Sequence, residues 1–189
     1  MLPITAYGHP TLKKKGEDID KNYPGLGKLI ADMFDTMHES NGVGLAAQQV
    51  NRTIRLFLVD ATPFEEEHPE AKDFKRVFIN AQITGEEGEE WEFEEGCLSV
   101  PGINEYVSRK PVIYMSYYDE NFIFHKEVRF EGIQARIIQH EYDHTEGILF
   151  VDRLPSFKKL LLKRKLSDIS AGKHKATYKM IYPRKKIKH

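Results

Sequence analysis

Apolar residues recur at helical spacing in three stretches of the chain and follow strand-like runs through most of the remainder. After Pro24-Gly25, Leu26, Leu29, Ile30, Met33, Phe34 and Met37 share one face of a helix that should end near Asn41-Gly42. RTIRLFLVD (52–60) and KRVFINAQIT (75–84) are short, β-branched runs and predict strands. Between them ATPFEEEHPEAKDF reads as a loop, acidic and interrupted by proline; its 64–74 portion is expected to be solvated. A Gly- and Glu-rich turn is expected at 85–88, ahead of WEFEEGCLSVPG. KPVIYMSYYD and FIFHKEVRF flank Glu120-Asn121 as the arms of a β-hairpin. Helical spacing returns from Gly132 to Thr145. Leu154-Pro155 then opens a final helix, SFKKLLLKRKLSDIS, in which Leu160, Leu161, Leu162 and Leu166 can pack one side, and beyond it a frayed basic end is expected. The strands follow one another as meanders rather than through crossover helices, so the expected class is α+β.

Composition narrows the class further. A chain of 189 residues with 40% hydrophobic and 30% charged residues is sized and balanced for one globular domain. Its longest apolar runs fall far short of the roughly 20 residues that cross a bilayer, and no membrane partner is expected. The N-terminus lacks the order of a secretion signal, because its basic KKK follows the short apolar segment. The single cysteine excludes an internal disulfide framework and favours a reducing cytoplasm. The net charge of −1 conceals an asymmetry: from Phe157 to His189 there are twelve Lys or Arg and one acid, Asp168. A solvated basic face is the plain reading; contact with phosphate-rich RNA is the other.

The chemistry concentrates in QHEYDH (139–144). Ile133, Ile137, His140, Glu141 and His144 lie at offsets 0, 4, 7, 8 and 11, one stripe at helical period. An apolar stripe that turns into His-Glu-His faces a core, where such groups must be paired or ligated. Histidines at i and i+4 aim at one point, and Glu141 beside them can take a proton from water on a bound metal. The other histidines, His9, His38, His68, His125, His174 and His189, lack partners at ligand spacing and are read as surface or structural. A third protein ligand is needed. A metzincin-type continuation fails at Phe150, and no glutamate follows Glu146 to serve as in thermolysin-like sites. Asp152 and Asp168 are candidates; Cys97, in irregular backbone between Gly96 and LSVPG, is the better one. Thiolate with two imidazoles suits Zn²⁺ and Fe²⁺ alike.

GVGLAAQQ (42–49), EGCLS (95–99) and QHEYDH (139–144) resemble, in order and separation, the three signature motifs of the peptide deformylase family, bacterial type. The similarity runs from about Leu2 to Leu154. It implies antiparallel sheets wrapped around a central metal-binding helix, with N-terminal and C-terminal helices. It also implies a metal-dependent hydrolase that removes formate from N-formylmethionyl N-termini of new proteins. The family motifs map metal ligation onto Cys97, His140 and His144, and general acid/base chemistry onto Glu141. They map the hydrogen bonds to the oxygen on the formyl carbon onto Gln49 and the backbone N–H of Leu98, and substrate contacts onto Gly44, Glu95 and Gly96. Val43, Ile133 and Ile137 are expected to form the apolar pocket for methionine. The glycines Gly42 and Gly44 are expected to supply positive φ in a turn after the first helix.

The cofactor so implied is one divalent ion, Fe²⁺ foremost, with Zn²⁺, Ni²⁺ or Co²⁺ as substitutes. The organisation implied is a single catalytic domain over 1–170 and a basic C-terminal tail over 171–189, acting as a monomer. Formylated nascent chains are the expected substrate, and the ribosome is an expected partner of the tail. The competing reading is an RNA- or ribosome-binding module whose Cys-His-His metal serves only the fold. It is disfavoured because structural sites usually have four protein ligands and need no adjacent glutamate. One family feature is missing: some members carry an arginine seven residues beyond the cysteine to bind the peptide, where this chain has Asn104. Arg109 is a candidate to support the ligands from behind.

Overall fold

A computed structural model describes residues 1–183. Its centre is a five-stranded antiparallel sheet of β2 (Gly44–Ala46), β3 (Leu56–Asp60), β4 (Lys75–Glu87), β7 (Val112–Tyr118) and β8 (Phe124–Glu131), in that order. Each of its two faces is covered by a helix, α1 (Leu26–Glu39) on one and α2 (Gly132–Thr145) on the other. Strand alternation accounts for this. In β3, Phe57 and Val59 join Ile133, Ile137 and Ile138 of α2 in one buried cluster. Leu56 and Leu58 join Met33 and Met37 of α1 in another. A strand apolar on both faces must be sandwiched. Burial of each such side chain stabilises by about 1.5–3 kcal/mol.

β5 (Trp91–Gly96) and β6 (Asn104–Arg109) form a separate antiparallel hairpin that ends in the Cys97 loop. α3 (Ser156–Ser170) closes a third apolar cluster through Leu162, Leu166 and Ile169. The α+β class, the antiparallel sheets around α2 and the helices α1 and α3 agree with expectation.

Several expectations need correction. β4 runs on through the predicted turn to Glu87 and reverses only at Gly88 (φ 91°), because Gly85 to Glu87 still pair with β7. β6 carries no apolar run and was not anticipated; its pairing with β5 defines it. The 64–74 segment is only partly a solvated loop. Glu65, Glu66 and Glu67 are exposed, but Ala71 and Phe74 are buried in the core beneath α2. Glu70 Oε1 accepts from the N–H of Ile133 at 3.1 Å, capping a helix whose own preceding residue caps nothing. In α3, Leu160 and Leu161 are 65% and 64% exposed, so only positions 162, 166 and 169 at i, i+4 and i+7 face the body.

The chain after α3 is not a frayed end as far as Pro183. It turns at Gly172 (φ 71°) and returns as β9 (Met180–Ile181), pairing with β1 (Ile4–Thr5). That pair is parallel, as is the isolated bridge between Glu17 and Ile54; the other strand pairs are antiparallel. The remaining tail positions, 184–189, including His189, lie outside the described residues.

Candidate metal centre

α2 presents the expected stripe, and all five of its residues are buried. Cys97 reaches it from the loop after β5. One ligand atom each from Cys97, His140 and His144 lie within 4.8 Å of one another, with Cys97 Sγ 3.4 Å from His144 Nε2. A tetrahedral ion with bonds of about 2.3 Å to sulfur and about 2.1 Å to nitrogen would hold those atoms about 3.6 Å apart. The donor set therefore fits a divalent cation. Asp152 plays no part in it, being paired with Lys13 and with the N–H of Leu149. Phe150, at the metzincin position, is buried and stacks on His140 at 5.9 Å.

The imidazoles are oriented from behind. His140 Nδ1 lies 2.8 Å from Glu95 Oε2, which leaves Nε2 for a cation. Burial, reinforced by charge on His140, pushes His144 well below its ordinary value and keeps it a neutral donor. His140 goes the other way. Burial alone would lower it, but hydrogen bonds with Cys97 and Glu95 outweigh that and raise it.

Glu95 belongs to a charge network whose Arg109, Arg136 and Asp143 are buried and whose Arg153 reaches in from the surface. Arg109 Nε and Nη2 donate to its two oxygens at 2.7 and 2.9 Å, and Arg136 Nη1 donates at 2.9 Å. Arg109 Nη1 also reaches Asp143 at 2.7 Å, and Arg153 grips the same Asp143 with two 2.5 Å bonds. Burial works against Glu95's charge, yet the bonds from Arg109 and His140 prevail and hold it far below the usual carboxylate range. Arg109 thus stands buried behind the ligands rather than on the surface, the other place open to it from sequence. Glu95, expected to touch substrate, has its carboxylate fully occupied by this network, which corrects that expectation for its side chain.

Glu141 is buried with Oε2 unpartnered, and burial pushes its carboxyl up to about 7. It lies against Gly44, where an added Cβ would come within 2.7 Å of Glu141 Cγ and Cδ. This, rather than backbone conformation, explains the glycine. The positive φ after α1 falls on Asn41 (55°), not on Gly42 or Gly44. Gly42 is likewise small for closeness, since a Cβ there would stand 2.9 Å from Leu98 Cδ1. The Oε1 of Gln49 accepts from the N–H of Ala46 at 2.8 Å, which turns its NH₂ toward Cys97 Sγ at 3.5 Å.

These groups open on a cleft of about 500 Å³. Val43, Gly44, Gln49, Glu95, Gly96, Leu98 and Ile137 line it, as do Cys97, His140 and Glu141. Ile133 does not; it is fully buried in the core one turn deeper. The apolar wall is instead completed by Phe64 and Phe93, edge to face at 6.4 Å. Asn104, at the position of the missing arginine, also lines the cleft. The opposite rim is built by 175–178, and Tyr178 donates its hydroxyl to the carbonyl of Leu98 at 2.8 Å. Burial, with smaller contributions from Cys97 and Tyr182, pushes Tyr178 up to about 12, so it stays a donor.

Sequence reasoning missed Arg136, Asp143, Phe64, Phe93 and Tyr178. Arg136 and Asp143 did leave a signal, as charged residues seven apart on a helix otherwise built for burial. Phe64 and Tyr178 left none.

Comparisons with known proteins all match one family. The family model described as polypeptide deformylase matches residues 1–160. A peptide deformylase of Christiangramia forsetii is 54% identical, covering 98% of each chain. One of Flavobacterium johnsoniae is 50% identical over 95% of each. Among solved structures, the peptide deformylase of Thermus thermophilus superposes with a TM-score of 0.79 at 35% identity, covering 92% of this chain and all of that one. The Plasmodium falciparum enzyme gives 0.79 at 35%, covering 89% and 95%.

Proposed function

This chain belongs to the peptide deformylase family, and from that premise we propose how its residues divide the work. The reaction is hydrolysis of the formyl amide of N-formylmethionyl peptides, releasing formate and a free N-terminus, and the family is metal-dependent. The observation that carries the assignment is the convergence of Cys97, His140 and His144 on one point flanked by Glu141.

Those three side chains hold the ion. When bound it supplies Lewis acidity, making water a nucleophile near neutral pH. Glu95 fixes the ring of His140. Glu141 accepts the proton of the attacking water and returns it to the departing amine. A buried carboxyl near 7 is suited to both halves of that task, and bringing a cation beside it favours its charged form. The NH₂ of Gln49 and the N–H of Leu98 donate to the oxygen of the formyl carbon as charge develops there. Losing one such donor typically costs about 100- to 1000-fold in rate. Val43, Ile137, Phe64 and Phe93 receive the methionine side chain, whose sulfur makes favourable contacts with aromatic rings. Gly44, Glu95 and Gly96 offer backbone to the peptide.

The catalytic domain, expected over 1–170, is extended in this reading by residues 175–178, which line its cleft, and by Met180–Ile181, which pair with Ile4–Thr5. Fe²⁺ is the native ion in this reading, with Zn²⁺, Ni²⁺ and Co²⁺ able to replace it. A monomer is the proposed state. A cytoplasmic location fits the unpaired Cys97; no helix among the described residues is long and apolar enough to cross a membrane. The ribosome is the proposed partner of the C-terminal region. α3 carries Lys159, Lys163, Arg164 and Lys165 on its exposed side beside Phe157, 70% exposed.

The test is anaerobic purification, metal analysis and assay of formate release from a formyl-Met peptide. Glu141→Gln should keep the ion and abolish turnover; retained turnover removes Glu141 from the proton path.

A further inference from the structure

We propose that Tyr178 is a positioning residue for deformylation, reaching the site from a C-terminal segment beyond the residues matched by the family model. The inference deepens the proposed function, because it rests on the Leu98 N–H acting as an oxyanion donor.

The loop after β5 has two tasks, carrying the sulfur ligand and aiming that N–H. Three consecutive carbonyls of the loop are held from three directions. The Cys97 carbonyl accepts from the N–H of Val100 at 2.8 Å, closing the turn, and that of Ser99 accepts from the N–H of Tyr7 at 2.8 Å. The carbonyl between them, Leu98, is held by the Tyr178 hydroxyl at 2.8 Å, across 80 residues of sequence. The two flanking bonds are main chain to main chain. The central one depends on a single side chain.

The Leu98 N–H and carbonyl are separated by that residue's own φ and ψ. Anchoring the carbonyl therefore limits how far the N–H can tilt. Donors to a developing oxyanion act by being already in place, and a displacement beyond about 0.5 Å forfeits much of their effect.

The segment that delivers Tyr178 is itself tied down. Lys173 N–H bonds the Asp168 carbonyl at 2.8 Å as α3 ends. The N–H groups of Ile4 and Ala6 then bond the carbonyls of Lys179 and Ile181 at 2.9 and 2.8 Å. Met180 packs on the apolar cluster that also contacts Cys97. Tyr178 thus stands two residues before the strand β9. Its ring lines the cleft.

The experiment compares wild type, Tyr178→Phe and Gln49→Leu for formate release from a formyl-Met peptide, with metal content and Tm measured on each. Tyr178→Phe keeps the ring and removes only the donor. The expected result is a fall of about tenfold in kcat, with KM within about twofold and metal content and Tm as in wild type. Unchanged kcat in Tyr178→Phe overturns the inference. So does a loss of kcat that tracks lost metal or lowered Tm, which marks a structural role. Gln49→Leu separates the two readings. If it lowers kcat while Tyr178→Phe does not, only the positioning role falls; if it too leaves kcat intact, the oxyanion reading beneath it falls.

Discussion

The carboxylate of Glu95 stands 2.8 Å from Nδ1 of His140 while accepting a 2.7 Å bond from Nε of Arg109. One buried acid thereby orients an imidazole of the metal centre and neutralises a guanidinium in the core, so catalysis and stability share a residue.

Replacing Glu95 by alanine should damage both. It leaves Arg109 and Arg136 buried without their main partner, which typically destabilises by about 3–5 kcal/mol. It also frees His140, and losing such a partner typically costs about 10- to 100-fold in metal affinity. Denaturant unfolding and chelator competition would measure the two effects. A variant with native stability would show that the arginines find other partners.

The same pairing predicts acid sensitivity. Glu95 sits far below its ordinary 4.5 in the folded state. Its stabilising contribution is therefore complete above the unfolded value and lost as pH falls through the folded one. Unfolding free energy should decline on acidification below about pH 4.5, and the Glu95→Gln variant should decline less steeply. Parallel pH curves for the two proteins would exclude Glu95 as the source.

Metal affinity should fall as pH is lowered. His140 is raised above the ordinary histidine value because its bonds with Cys97 and Glu95 outweigh burial, so a cation must displace a proton held there. Competition with a chromophoric chelator between about pH 8 and 6 should show weaker binding at the lower end. A flat profile would mean the ring carries no competing proton.

Gly44→Ala tests the close packing of the first motif on α2. A methyl there meets Cγ and Cδ of Glu141 at 2.7 Å, so the carboxylate must move. Overpacking of this kind costs about 1–3 kcal/mol. A rate loss of more than about tenfold is expected with metal content preserved. Full activity would mean that Glu141 tolerates displacement.

Phe64→Ala opens one wall of the cleft without touching the donors or the metal ligands. KM for formyl-Met peptides should rise several-fold while kcat holds within about twofold. An unchanged KM would remove Phe64 from the methionine pocket.

Reversing Lys159, Lys163, Arg164 and Lys165 to glutamate tests the proposed ribosome contact. Co-sedimentation of the wild type with ribosomes should weaken steeply with added salt, and the charge-reversed protein should stay in the supernatant. Equal pelleting of both would exclude this face.

Much of this protein could be read from local pattern. The 3.6-residue recurrence set the limits of α1, α2 and α3 within a few residues, because a helix declares its buried face in near neighbours. The His140-Glu141-His144 spacing declared a metal helix for the same reason. What was not legible required partners distant in sequence. β6 exists because β5 pairs with it, not because its residues are apolar. Leu160 and Leu161 looked equal to Leu162 until the docking angle of α3 exposed them. Gly44 is glycine because Glu141, 97 residues on, leaves no room for a Cβ. The sequence by itself determined which atoms could ligate and which stripe they share, since both are properties of composition and period. Only the tertiary structure decided how those atoms are aimed, by Glu95, Arg109 and Tyr178, because a hydrogen bond depends on distance in space and leaves no period in the chain.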